Sequence, residues 1–161
     1  MEKTSQPYST VLETPFAMLG LVFEDETLIR IDYLEDGSVS FSSNNKAIQN
    51  ISGQIKRYCE KTLDKNAFDA RYELTGTAFQ KKVWNQIEAI AYGQTRTYGD
   101  IARCLKTSPR AVGNACRANP MVLLVPCHRV VSASGMGGYL GKTSGKMAAI
   151  KKWLLAHEAL H

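Results

Sequence analysis

The chain has 161 residues, of which 44% are hydrophobic, and a formal net charge of +5. This length and composition suit one domain or two small ones with a buried core, and they exclude global disorder. Because no apolar run reaches membrane-spanning length and residues 1–10 lack the apolar core of a signal peptide, we expect no membrane partner and a cytoplasmic location, or a nuclear one in a eukaryote.

The first half of the chain predicts a small sheet with one helix. Residues 15–34 predict two strands around a polar turn, Glu24-Asp25-Glu26, and the segment SVSFSS, residues 38–43, adds a third strand. Isoleucine and tyrosine side chains at helical spacing predict a helix over residues 45–62. A connecting stretch follows, so we predict that residues 1–74 form a separate scaffold domain.

Capping residues predict two helices at the start of the second half. Thr77 with Gln80 forms a capping-box pattern, and the helix that follows is expected to end at Gly93. Thr97 with Asp100 caps a short second helix in the same way.

A third helix completes a helix-turn-helix pattern. It begins at Ser108, with Pro109 at its first position. Two core helices joined by a tight turn are a common alternative that has no connection with DNA. Arg110 and Arg117 favour nucleic acid, because a basic side chain on this helix can meet a groove or a phosphate. Basic residues also outnumber acidic ones over residues 81–129, which permits a polyanionic partner.

The last helix carries a carboxylate on its apolar side. Met147, Ile150 and Leu154 share one face, and Glu158 continues that face. A buried carboxylate needs a partner. The alternative is a frayed last turn with Glu158 in water, and spacing alone favours it, because the C-terminal end of a helix disfavours negative charge.

The segment LLVPCHRVV, residues 123–131, predicts a buried strand that holds Cys127 and His128. A buried cysteine is most often inert, but a neighbouring base turns a thiol into a nucleophile. His128 is a candidate base, and Glu158 is a candidate group to orient it. Because adjacent side chains of a strand point to opposite faces, either Pro126 marks a turn or a water molecule links Cys127 to His128.

Cysteine and histidine spacing predicts free thiols and no metal site. The chain has four cysteines without a CxxC pair, and its three histidines all lie late in the sequence.

These motifs resemble the O6-alkylguanine-DNA alkyltransferase family. The similarity covers residues 77–158 and rests on PCHRV, on RAVGNACRANP before it, on Tyr98 and Asn119, and on the ending WLLAHE. The resemblance implies an α+β fold of two lobes. The N-terminal lobe would be a small mixed β-sheet with a helix. Residues 75–161 would form a helical domain for DNA binding and alkyl transfer, with the helix-turn-helix and an active-site strand.

The resemblance also implies catalytic roles in a single-turnover DNA repair reaction. Cys127 would take the alkyl group from O6 of guanine in one displacement at carbon. His128, bridged by water and held by Glu158, would draw off the thiol proton. Asn119 would brace the hinge between the DNA-binding helix and the active-site strand. Tyr98 would help the damaged nucleotide rotate out of the duplex and would donate a proton as the guanine leaves.

The implied partner is double-stranded DNA with an alkylated base, approached from the minor groove by a monomer that needs no cofactor. Arg110 would fill the space that the rotated nucleotide leaves. The residues expected to contact DNA are Ser108, Arg110, Ala111, Gly113, Arg117, Tyr139 and Leu140.

The loop GGYLGKTSGK departs from many relatives, which carry a small polar residue where this chain has Leu140. The backbone N–H groups of Tyr139 and Leu140 remain as donors to guanine O6, and Lys142 and Lys146 remain as phosphate contacts. We expect a preference shifted toward larger alkyl groups or O4-alkylthymine.

Three other functions compete with alkyl transfer. A damage-recognition protein without chemistry would not need Cys127. A cysteine hydrolase would leave the helix-turn-helix unexplained, and a plain helix-turn-helix regulator would leave PCHRV unexplained.

Overall fold

The computed structural model describes residues 7–63 and 67–159, and the fold is α+β. The chain divides into two compact units, Met1–Leu74 and Thr75–His161, and each is described by itself. Within the described residues, no helix has both the length and the apolar character that crossing a bilayer requires.

The first unit contains a three-stranded antiparallel sheet in the order β1-β2-β3. The strands are β1 (Thr10–Glu13), β2 (Met18–Glu24) and β3 (Thr27–Leu34). Strands β2 and β3 flank the predicted polar turn, where Asp25 has a φ of 54°. The buried large side chains of these two strands are Leu19, Leu21, Leu28 and Ile31, and the register of the pair shifts between Val22 and Phe23.

Two expectations about this sheet are wrong. The third strand is β1 rather than residues 38–43, which contribute one isolated bridge between Val11 and Phe41. Serine fills four of those six positions and Val39 is 79% exposed, so the segment lacks a buried face. The sheet is also antiparallel rather than mixed, although an isolated parallel bridge joins Leu28 to Tyr72.

One helix, α1 (Lys46–Glu60), packs in this unit and confirms the helix predicted over residues 45–62. The Asn45 side chain caps it by accepting hydrogen bonds from the N–H groups of Ala47 and Ile48. Gln54 then bonds both the N–H and the carbonyl of Asp69, which ties the stretch after the helix back to it.

The second unit begins with three capped helices: α2 (Ala78–Glu88), α3 (Tyr98–Leu105) and α4 (Pro109–Arg117). All three predicted caps are present, with capping boxes at Thr77 and Thr97 and a Ser108 side chain that accepts from Ala111 N–H. Helix α2 ends at Glu88, before the predicted stop at Gly93. The Ile90 N–H donates to the Ile87 carbonyl, three residues earlier, instead of continuing the α-helical pattern, and the Ile90 side chain is buried in the core. The helix therefore ends before Gly93.

A buried hydrogen bond joins α2 to α4. The Trp84 indole N–H donates to the Ala115 carbonyl at 2.8 Å, while the Asn119 N–H bonds Cys116 instead.

Replacement of Trp84 by phenylalanine is therefore expected to lower the free energy of unfolding by about 1–3 kcal/mol, because it leaves the buried Ala115 carbonyl without its hydrogen-bond donor. Denaturant unfolding measures this change. Trp153→Phe, at a half-buried position on the last helix, is the matched control, and an equal loss in both variants would contradict a specific role for the hydrogen bond.

The chain after α4 contains turns, not the predicted strand over residues 123–131. Leu123 has a φ of 75°, a 3-10 turn spans Cys127–Arg129, and only Val130–Val131 (β5) pairs, in parallel with Arg96–Thr97 (β4). Pro126 has no N–H for a sheet ladder, so the neighbouring amides bond locally. Helix α5 (Gly145–Ala159) completes the unit.

Candidate active site

The Cys127 thiol lies at the start of the 3-10 turn and is 2% exposed. It borders a cavity of about 300 Å³ in the second unit. Helix α3, helix α4 and the loop over residues 138–143 supply the other walls of the cavity: Tyr98, Arg110, Gly113, Asn114, Cys116, Arg117, Gly138, Tyr139, Leu140, Gly141 and Thr143.

Asn119 connects the end of α4 with the thiol. Its Nδ2 lies 3.1 Å from Cys127 Sγ and 2.9 Å from the Val125 carbonyl, and its Oδ1 accepts from the Met121 N–H at 2.9 Å. A single buried amide thus satisfies two backbone groups of the turn and also contacts the sulfur. The side chain therefore fixes where the sulfur sits relative to α4.

His128 and Glu158 form a fully buried pair. His128 Nε2 and Glu158 Oε2 are 2.7 Å apart, and Glu158 is 2% exposed. The interpretation that spacing favoured, a frayed turn with Glu158 in water, is therefore wrong. The carboxylate is buried because the turn before β5 provides it with partners.

Arg129 is the second partner, and sequence reasoning gave it no role. Its Nε and Nη2 contact the two oxygens of Glu158 at 2.7 and 3.1 Å, and its Nη1 donates to the Ile90 carbonyl at 2.7 Å. The signal in the sequence was the carboxylate on the apolar face of α5, which needs a partner if it is buried.

The two partners set the charge states of the pair. Burial alone would raise the pKa of Glu158, but hydrogen bonds and charge from His128 and Arg129 outweigh it and hold that pKa well below its usual range. Burial lowers the pKa of His128, against the opposing effect of Glu158, so the imidazole is neutral at pH 7.

The hydrogen bonds assign the histidine tautomer. Nε2 carries the proton because it faces a carboxylate, which leaves a lone pair on Nδ1. Nδ1 is buried and has no hydrogen-bond partner among the described residues. Nδ1 is therefore the ring nitrogen that can accept a proton.

Lys151 supplies a buried positive charge that the sequence did not predict. Its Nζ donates to the Val130 and Gly138 carbonyls at 2.7 and 2.8 Å, and the residue is fully buried. Burial lowers its pKa to about 8, opposed by the Cys127 and Cys116 thiols. Burial raises the pKa of Cys127, whereas hydrogen bonds from Asn119 and Tyr139 and the charge of Lys151 act to lower it.

Tyr98, the first residue of α3, lines the same cavity as the Cys127 thiol. Its hydroxyl donates to the Gly138 carbonyl at 3.1 Å, and its ring lies 5.7 Å from Lys151 Nζ. Burial and the neighbouring thiols Cys116 and Cys127 raise its pKa to about 12, so the hydroxyl stays protonated at neutral pH.

The loop over residues 138–143 corrects one expectation. The N–H of Tyr139 donates to the Lys142 carbonyl at 2.7 Å, so it does not face a substrate. Leu140 and Gly141 form the tip of this tight turn with φ of 50° and 83°, and both line the cavity. A Cβ on Gly141 would lie 2.8 Å from Arg117 Nε, so glycine allows that side chain its close approach.

The expected DNA-contacting residues of α4 separate into two groups. Arg110, Gly113 and Arg117 line the cavity, whereas Ser108 and Ala111 are not among its lining residues. Cys116 also lines it, so the cavity borders a second thiol beside Cys127. Among the described residues, no group of three or more cysteine, histidine or acidic side chains is placed to hold a metal ion.

A family model described as "6-O-methylguanine DNA methyltransferase, DNA binding domain" matches residues 78–160. Among curated proteins, the methylated-DNA–protein-cysteine methyltransferase of Metallosphaera sedula is 36% identical over 132 residues, covering 82% of this chain and 83% of the relative. That of Sulfolobus acidocaldarius is 39% identical over 152 residues, covering 94% and 92%.

Solved structures of similar proteins extend over almost the whole chain. Mycobacterium tuberculosis OGT in complex with DNA matches with a TM-score of 0.76 at 33% identity, over 92% of this chain and 91% of that one. An O6-methylguanine DNA methyltransferase from Methanococcus jannaschii matches with a TM-score of 0.68 at 33% identity, over 94% and 93%.

Proposed function

Since the chain belongs to the 6-O-methylguanine DNA methyltransferase family, we propose that Cys127 accepts the alkyl group from O6 of an alkylated guanine in duplex DNA. The chain is a methylated-DNA–protein-cysteine methyltransferase that binds DNA and repairs it by alkyl transfer. The observation that supports Cys127 as the acceptor is its thiol on a cavity lined by the basic face of α4, with a neutral His128 next in the chain.

The displacement proceeds at the alkyl carbon. The Cys127 sulfur forms the new bond as the bond from carbon to O6 breaks, and the electron pair leaves with the guanine. The thiol proton passes through a bridging water to His128 Nδ1, while Glu158 retains its hydrogen bond to Nε2. The Tyr98 hydroxyl, which its raised pKa keeps protonated, donates to the departing guanine. Asn119 positions the sulfur.

The nucleotide must leave the duplex for this reaction, because a buried thiol cannot reach O6 inside the base stack. We propose that a monomer approaches from the minor groove and that Arg110 enters the space left by the flipped nucleotide. The apolar Leu140 at the cavity wall favours alkyl groups larger than methyl, and O4-alkylthymine is a second candidate lesion.

Mass measurement after incubation with an O6-methylguanine duplex tests this function. We expect a permanent gain of one methyl group on the peptide that contains Cys127. Unmodified protein with altered DNA would indicate a hydrolase, and binding without any change would indicate damage recognition alone.

Arg110→Ala is expected to slow the repair of duplex DNA about tenfold or more, because an extrahelical nucleotide costs a few kcal/mol to hold. Reaction with free O6-benzylguanine, which needs no base flipping, should remain within about twofold of wild type. Arg103→Ala, at an exposed position on α3, is the control. An equal loss on both substrates would contradict the wedge role.

The pH dependence of alkyl transfer from free O6-benzylguanine to the protein tests whether His128 is the general base. Burial holds the pKa of His128 below the ordinary histidine value of 6.5. The imidazole therefore remains a neutral base as the pH falls to 6.5, and it becomes protonated only at lower pH. We expect less than about a twofold change in rate from about pH 7.5 to 6.5, then a decline. A tenfold fall per pH unit across this range would instead indicate reaction through a small fraction of free thiolate.

A further inference from the structure

Asn114 lines the cavity beside Cys127, and neither the sequence motifs nor the proposed mechanism gives it a role. It lies one turn after Arg110 on α4 and three residues before Arg117, so these three side chains share one helix face. The opposite side of α4 is buried through Val112 and Ala115. Asn114 is exposed, lines the cavity and lies between Arg110 and Arg117 along this helix face.

An exposed asparagine inside a helix is most often an ordinary solvated residue, and it stabilises the helix less than alanine would. The position of Asn114 argues for more than that. Its side-chain amide has no hydrogen-bond partner among the described residues, so both its N–H groups and its oxygen are available to a ligand at the cavity rim. Helix stability therefore does not account for asparagine here.

The chemistry of this face separates Asn114 from its neighbours. Arg110 and Arg117 carry only hydrogen-bond donors. In the minor groove every base pair offers acceptors, at purine N3 and pyrimidine O2, and only a G·C pair adds a donor, the guanine N2 amino group. Of the three side chains, only Asn114 has an oxygen that accepts from that amino group. The two arginines are unable to distinguish G·C from A·T in this way.

We propose that Asn114 reads the minor-groove edge of the base pair next to the alkylated guanine and favours a G·C pair there. The inference rests on the proposed function, in which α4 faces the minor groove and Arg110 replaces the flipped nucleotide. Asn114 Oδ1 accepts from guanine N2, and Nδ2 donates to a neighbouring N3 or O2. This contact makes repair depend on sequence context.

The test uses duplexes in which the guanine flanking O6-methylguanine, on either side, is replaced by inosine, which lacks only the N2 amino group. Single-turnover rates of methyl transfer are measured with subsaturating protein in excess over DNA. The variants are wild type, Asn114→Ala and a matched control, Asn85→Ala, at an exposed position on α2 outside the cavity. A flanking 7-deazaguanine, altered in the major groove, controls for the groove.

Wild type and Asn85→Ala should react about three- to tenfold more slowly with inosine on one flank, the effect of one hydrogen bond. Asn114→Ala should lose this difference and react equally with both duplexes. Because an I·C pair also opens more easily, the ratio of the two rates is compared between proteins. Denaturant unfolding that matches wild type shows that the fold of Asn114→Ala is intact, and the ratio of the two rates removes any general effect of the substitution on transfer.

Two results overturn the inference alone: wild type that transfers methyl without an inosine effect, or Asn114→Ala that keeps the wild-type ratio. A rate that responds to 7-deazaguanine and not to inosine places the contact in the major groove and also overturns it. Wild type that transfers no methyl from any duplex overturns the proposed function, and this inference with it.

Discussion

Replacement of Cys127 by serine is expected to slow alkyl transfer by at least about 10³-fold, because a neutral hydroxyl is a far weaker nucleophile than a thiolate. DNA affinity should stay within about twofold of wild type, since the thiol is buried and DNA binding depends on phosphate contacts. Intact-protein mass after incubation with an O6-methylguanine duplex measures transfer, and fluorescence anisotropy measures binding.

Cys116→Ser is the matched control, because Cys116 is a second thiol on the same cavity. It should retain transfer. Loss of transfer in Cys116→Ser with retention in Cys127→Ser would contradict the assignment of the acceptor.

Wild-type protein should stop after one transfer. A thioether has no electrophilic carbonyl carbon for water to attack, unlike an acyl-enzyme, so Cys127 is not regenerated. Titration with excess alkylated oligonucleotide, with and without a chelator, measures the end point. Product beyond one equivalent per protein, or activity lost on chelation, would contradict a stoichiometric and metal-free reaction.

His128 and Glu158 are expected to act as one unit in transfer. His128→Ala should slow the reaction about 10²–10⁴-fold, the usual contribution of a general base. If Glu158 acts by holding the imidazole, the double variant His128→Ala/Glu158→Gln should be little slower than His128→Ala. Single-turnover rates of the four proteins form the cycle, and strictly additive losses would contradict this dependence.

Glu158 has a structural role as well, because it neutralises Arg129 in the core. Its removal is expected to lower the free energy of unfolding by about 3–5 kcal/mol, the cost of a buried unpaired charge. Rates are therefore compared under conditions where unfolding measurements show each variant to be folded. Glu26→Gln, at an exposed turn, is the control, and a loss in Glu158→Gln as small as in the control would show that Arg129 does not depend on it.

The sequence by itself determined the helices of the second unit and the identity of the family. Capping by Thr77, Thr97 and Ser108 involves residues three positions apart, so the pattern is complete within a short segment. The signal for strands β2 and β3 also lies within a short segment, because alternating hydrophobicity and a polar turn specify a hairpin. The motif around Cys127 identified the family without any knowledge of its conformation.

Only the tertiary structure decided how the site is assembled. Glu158 is buried because Arg129 and His128, some thirty residues earlier, meet it, and helix periodicity carries no information about a partner at that separation. The same holds for Lys151, whose acceptors are backbone carbonyls of Val130 and Gly138. An apolar run predicted a strand at residues 123–131, but the chain satisfies its amides locally after Pro126. Burial and long-range pairing of polar groups are properties of the packed chain, so the sequence named the candidate residues while the fold set their charge states.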